Sequence, residues 1–223
     1  GDAFSRYAKT GANANAYTSF DKTCYLFSCT DNFEDSLEIL LDFVQSPYFT
    51  EETVQKEQGI IGQEIKMYDD SPAWRVMFNM LMCLYEKHPV RIDIAGTVES
   101  IAQITPEYLY TCYNTYYNLN NMVLTVAGNF DPETVIRVAD KVLEPAPKIA
   151  LERKFTEEPD EVGKKRVEQK FPVASPMFCL GLKVRPADAK TNALNSVLDE
   201  IVNEILCGDA SPLYRRLYDS GLI

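Results

Sequence analysis

Histidine is almost missing from this chain: its 223 residues contain one, His88. A mechanism that needs two histidines cannot be complete within it. Basic residues are also in the minority, 22 Lys and Arg against 33 Asp and Glu, which gives a net charge of −11. A phosphate backbone would be repelled, and no basic block offers a local exception, so nucleic acid is not expected as a partner. No apolar run reaches the roughly 18 residues of a membrane span. The first residues, GDAFSRYAKTG, lack the pattern of a secretory signal. There is no CxxC. The six cysteines, at 24, 29, 83, 112, 179 and 207, each sit in an apolar or aromatic run such as TCYLFSC. Buried free thiols, and with them a cytoplasmic location, are the expectation. GxSxG, a P-loop and the Rossmann glycine pattern are absent too, which leaves serine hydrolase, NTPase and dinucleotide enzyme unsupported.

What is present is an ordinary globular balance, 46% hydrophobic and 25% charged. A chain this long buries about 70% of its extended surface and needs no disulfide to fold. Asp2 to Lys9 reads as a short helix broken at Thr10-Gly11. Asn13 to Thr30 alternates around Asp21-Lys22, as a hairpin does. Phe33, Leu37, Leu40, Leu41 and Val44 have helical spacing, with Asp31 as a cap. Further helices are expected from Thr50 to about Tyr68 and from Ser71-Pro72 to about Lys87. Others start at Thr105-Pro106, Asp131-Pro132 and Ser211-Pro212, each a capping residue followed by proline. Asn121–Gly128, NMVLTVAG, reads as a buried strand, and SPMFCLGLKV reads as a strand. Between them Pro145, Pro147, Pro159 and Gly163 lie among many charges, which marks a linker with one edge strand, RVEQKF. Asn192 to Leu206 is a helix by its apolar spacing.

Two features carry chemistry. In KEQGIIGQE, Glu57 and Glu64 lie seven apart and so share a helix face. Gly59 and Gly62 between them each cost a helix roughly 1 kcal/mol against alanine. Paired glycines suggest the close approach of another backbone; a solvated acidic stripe is the plainer alternative. Asn15, Ala16, Tyr17 and Thr18 form a strand of small and polar residues that could accept an extended peptide by strand addition, or serve as an ordinary hairpin arm. His88 precedes Pro89 at a helix end, where an imidazole meets the last carbonyls favourably.

The run GANANAYTSFDKTCYLFSCT, then PYFTEETVQKEQGIIGQEIKMYDDSP, HPVRIDIAGTVESIAQITPEYL and NMVLTVAGNFD, in this order, closely resembles the insulinase/pitrilysin family of zinc metallopeptidases. Its bacterial processing-peptidase-like members are the nearest match. The resemblance implies an α+β fold: a mostly antiparallel sheet with helices layered on one face, and the start of a second similar domain. It implies that residues 1–150 are most of the zinc-site domain, 151–165 a linker and 166–223 the opening part of the second domain. It assigns Glu64 as a zinc ligand, Glu57 as a supporting carboxylate, and Asn15, Ala16, Tyr17 and Thr18 as the strand that aligns substrate. The family's HxxEH, with two zinc-binding histidines and the general base, has no counterpart here. The chain is therefore expected to be an inactive part of a zinc-dependent endopeptidase that cleaves short or unfolded polypeptides in a closed chamber. Zn2+ would belong to the longer parent and not be bound by this part. A peptide substrate and a second copy or paralogous subunit are the expected partners, without nucleic acid or membrane. The rival expectation is a non-catalytic, chamber-forming subunit of the same family.

Overall fold

Side-chain caps set the start of nearly every helix. The computed structural model describes residues 2–223. Helix α1 (Ala3–Thr10) begins where the Asp2 carboxylate accepts the Phe4 N–H at 3.1 Å. It ends at Gly11, whose φ of 76° lies in the left-handed region that glycine adopts without strain. Strands β1 (Asn13–Thr18) and β2 (Thr23–Ser28) form an antiparallel hairpin, with Asn13 opposite Ser28 and Thr18 opposite Thr23. There follow α2 (Phe33–Gln45), α3 (Glu51–Asp69), α4 (Pro72–Leu84), a single turn α5 (Val98–Ile101), α6 (Pro106–Tyr116) and α7 (Pro132–Val142). Ser71, Thr105 and Asp131 accept amides of Trp74, Tyr108 and Glu133. The proline after each removes an N–H that the first turn would leave unbonded.

The chain divides into two compact units, one ending at Gly181 and the other Leu182–Ile223. In the first, Leu37 and Leu41 of α2 meet Val138 of α7, all nearly inaccessible, and Phe27, Phe33, Val135, Ala139 and Val142 pack round them. Arg137 pairs with Glu34 at 2.8 Å beside this contact. Gln45 closes its end, donating to Val142 O at 3.2 Å and accepting the Glu144 N–H at 2.8 Å. The second unit is α8 (Ala189–Cys207) against α9 (Pro212–Asp219), which Ser211 caps. Within it Leu194, Val197, Leu198, Ile201, Val202 and Ile205 of α8 remain exposed. The fold is α+β, with helices as its bulk. No helix among the described residues is long and apolar enough to cross a membrane.

Several expectations are corrected. Asn121–Gly128 is not a paired strand: after a 3-10 turn at Leu119–Asn121, residues 122–127 belong to no helix or strand and have no ladder partner among the described residues. A strand is completed by its neighbour. Here the neighbouring β2 lies across a cavity of about 1100 Å³ lined by both segments, where a pair would sit 4.7–4.9 Å apart. RVEQKF and SPMFCLGLKV likewise belong to no strand ladder among the described residues. The cap of α2 is Asn32, at φ 52°, not Asp31; its amide donates to Thr10 O at 3.0 Å and ties α1 to α2. Helix α4 stops at Leu84, short of Lys87, because the amides of residues 86–88 bond to the Glu158 carboxylate instead of to helix carbonyls. His88 does not meet a helix end; its Nδ1 accepts the Val90 N–H at 3.1 Å and starts a 3-10 turn. The cysteines are free but not buried, four being half-buried and Cys179 and Cys207 exposed.

Leu37→Ala opens a void in the α2–α7 contact and should cost about 2–5 kcal/mol in urea unfolding. Val123→Ala, at a side chain 90% exposed, should stay within about 0.5 kcal/mol of wild type. Tyr7 gives a second expectation. Its ring is buried and its hydroxyl has no hydrogen-bond partner among the described residues. Burial pushes its phenol up from 10 to about 12, against a small opposing effect of Arg6. Above pH 10 the unfolded chain loses this proton while the folded chain keeps it. Stability is therefore unaffected below pH 10 and falls as pH rises towards 12. Tyr7→Phe should lose no stability at pH 7, since it removes an unsatisfied polar atom, and should flatten the alkaline decline in thermal melts from pH 9 to 12.

Candidate functional site

Thr50 fixes the start of α3 through a reciprocal bond with Thr53, at 3.2 and 2.9 Å. One face of the helix, with Val54, Gly62 and Ile65, is buried against α4 and α5. Gln58 sets its rotation: its amide donates to Ile101 O and Ile104 O, each at 2.9 Å. Glu57 and Glu64 then project together, within about 20° of each other around the axis. Both are exposed, and neither is hydrogen-bonded or ion-paired to a described residue. The close helix approach expected at the glycines is not found. A Cβ on Gly59 would meet nothing within 4 Å, and one on Gly62 only Ile101 Cδ1 at 4.0 Å. Gly59 faces outward, so no backbone uses the space it leaves.

Strand β1 pairs with β2 along one edge, and its other edge has no ladder partner among the described residues. Asn15, Ala16, Tyr17 and Thr18 stand opposite Leu26, Tyr25, Cys24 and Thr23, and all four are exposed. Asn15 Oδ1 accepts the Ala16 N–H at 2.8 Å. The structure thus groups Glu57 with Glu64, and residues 15–18 with one another. No hydrogen bond joins α3 to β1 among the described residues.

Zinc sites take four donors, among them imidazole or thiolate. Among the described residues no three His, Cys, Asp or Glu side chains come together to hold a metal ion. The single histidine already has a ring nitrogen engaged. The chain's own donors therefore do not fit a complete zinc centre; Glu64 could contribute one oxygen to a site completed elsewhere.

Sequence reasoning passed over a phenol cluster. Tyr25 and Tyr117 hydroxyls lie 2.6 Å apart, Tyr113 donates to Val44 O at 2.7 Å, and Tyr113 and Tyr117 rings stack at 4.7 Å. Burial, then the bond with Tyr117, pushes the Tyr25 phenol up well beyond its usual range. The group fastens β2 to α6. The tyrosine-dense run YLYTCYNTYY was its visible signal.

The family model described as insulinase (peptidase family M16) matches residues 2–98, and that described as the peptidase M16 inactive domain matches residues 103–223. The protein named "Uncharacterized zinc protease YmfH" of Bacillus subtilis is 47% identical over all of this chain and 53% of its own length. The crystal structure of an M16-like peptidase from Alicyclobacillus acidocaldarius, 38% identical, superposes with a TM-score of 0.86 over all of this chain and 54% of its own. The mitochondrial-processing peptidase subunit beta of Caenorhabditis elegans is 29% identical over 59% of this chain and 29% of its own length. The chain spans about half the length of the first two relatives. Matched along nearly its whole length by the two family models, in order, the chain belongs to the insulinase family, peptidase family M16.

Proposed function

We propose that residues 1–223 form part of a zinc-dependent endopeptidase acting on short or unfolded polypeptides in a closed chamber in the bacterial cytoplasm. The observation that carries this reading is the pair of unpartnered carboxylates, Glu57 and Glu64, on one face of α3 in a family whose members include named zinc proteases. Residues 1–150 are most of the zinc-site domain, 151–165 a linker and 166–223 the opening of a second domain. Glu64 is one metal ligand. Glu57, two turns away on the same face, orients the site. The remaining donors, the two histidines of HxxEH, come from sequence outside residues 1–223, as does the general base. Strand β1 supports the substrate part of the reading: its free edge, with exposed Asn15 to Thr18, can pair with an extended peptide backbone. A second copy or a paralogous subunit completes the chamber. A match of residues 103–223 to the model described as the peptidase M16 inactive domain favours, as second reading, a non-catalytic chamber subunit.

The readings separate in the full-length protein by zinc content and peptide hydrolysis. Glu64→Gln should lose zinc and activity together, since a neutral amide is a poor ligand for a dication. Glu57→Gln should keep most of the zinc and lose about 10–100-fold in activity, the usual cost of removing a group that orients ligands. Asn15→Ala should leave zinc unchanged and raise KM or lower kcat. Residues 1–223 alone should bind zinc weakly and cleave nothing. Equal zinc and equal activity in wild type and Glu64→Gln would sink the peptidase reading; a full-length protein without zinc or hydrolysis would establish the second.

A further inference from the structure

Helix α4 ends at Leu84, and Tyr85 turns the backbone extended, at φ −112° and ψ 132°. The next three amides converge on one carboxylate. Glu86 N–H donates to Glu158 Oε1, and Lys87 and His88 N–H donate to Oε2, all at 2.7 Å. That is the short end of charge-assisted N–H···O⁻ bonds, and successive amides turned to one side form an anion-binding concavity. Local sequence fixes both partners. Pro89 restricts His88 to extended backbone, observed at φ −64° and ψ 134°. The Tyr85 and His88 rings lie 5.6 Å apart across the turn, and the Arg91 guanidinium donates to Glu86 O. Pro159 restricts Glu158 in the same way.

From Glu158 the chain runs back along α4. Lys164 N–H donates to Cys83 O at 3.0 Å, a last-turn carbonyl. Asn79 Nδ2 donates to Gln169 Oε1 at 2.7 Å. A Cβ on Gly163 would reach Cys83 O at 3.5 Å, so the backbone lies close to the helix there. Residues 160–170 are all exposed, which leaves little apolar burial to hold them in place. The helix macrodipole does not hold them either. It puts partial negative charge at the C-terminal end of α4 and disfavours a carboxylate there. The three amides beyond the helix supply the attraction that the macrodipole does not.

We propose that Glu158 is a latch: its carboxylate, seated on the amides of residues 86–88, fastens residues 158–169 along α4 as a strap. Latched, the strap fixes the course of the chain after α7. Unlatched, residues 158–169 lose their fastening at the end of α4. The inference is independent of zinc and of peptidase activity.

Hydrogen exchange and native-state trypsin digestion test it. In wild type the amides of Lys87 and His88 should be protected although they belong to no helix or strand. Exchange at free-peptide rates there would overturn the latch without any variant. In Glu158→Ala that protection should vanish, and initial cleavage at Lys164, Lys165 and Arg166 should rise about tenfold or more, since cleavage tracks the open population. Glu158→Gln, which keeps an acceptor but loses the charge, should fall between. Glu157→Ala, at an exposed neighbour, should match wild type. Circular dichroism that is unchanged across the set shows that the helices persist. Equal cleavage rates and equal exchange at residues 87 and 88 in wild type and Glu158→Ala would refute the latch.

Discussion

Leu37 and Val138 meet between α2 and α7 with almost no exposed surface, and the placement of the hairpin follows from that contact. Phe27 of β2 packs against the same cluster, and Tyr7 of α1 stacks on Phe27 with ring centroids 5.8 Å apart. A two-stranded ribbon is marginal in water by itself. Here β2 is held from one side by the apolar cluster and from another by the Tyr25–Tyr117 hydroxyl contact. These anchors all act on β2 or on α1, and none on β1. The outer edge of β1 is left open as a result, because the packing that stabilises the ribbon never needs it.

Helices were legible in the sequence because their signals are local. A capping side chain, the proline after it and apolar residues at 3.6-residue spacing all lie within a few positions. Ser71-Pro72, Thr105-Pro106 and Asp131-Pro132 each start a helix where read. Strands were legible only where the partner is also local. The hairpin around Asp21-Lys22 formed as read, whereas NMVLTVAG joins no ladder among the described residues, because its apolar character says that it wants a neighbour without saying which. The early stop of α4 was not legible for a related reason: it depends on Glu158, 70 residues beyond His88, in a charged stretch that offers many other carboxylates.

The carboxylate pair on α3 followed from spacing alone, since seven residues fix a shared face whatever surrounds the helix. The meaning of the glycines between them did not, because spacing cannot say which way a face looks. Gln58 decides that. By donating to Ile101 O and Ile104 O it turns the side of α3 with Val54 and Ile65 inward and leaves Gly59 over open space.

The exposure of Glu57 and Glu64 carries its own energetic argument. In a chain of net charge −11, two like charges on one helix face gain nothing from each other, and neither has a cation or a donor among the described residues. Elsewhere the same molecule places its carboxylates economically. Asp2 and Asp131 cap helices, Glu34 pairs with Arg137, and Glu158 gathers three amides. Stability is therefore no reason for the α3 pair to stand bare at this spacing. Gly59 and Gly62 lower the helix propensity of the same turns, so that segment gives up local stability in backbone as well as in side chains. Under the function proposed above, Glu64 would offer one oxygen to a metal ion with Glu57 beside it, on a helix whose rotation Gln58 fixes through Ile101 O and Ile104 O.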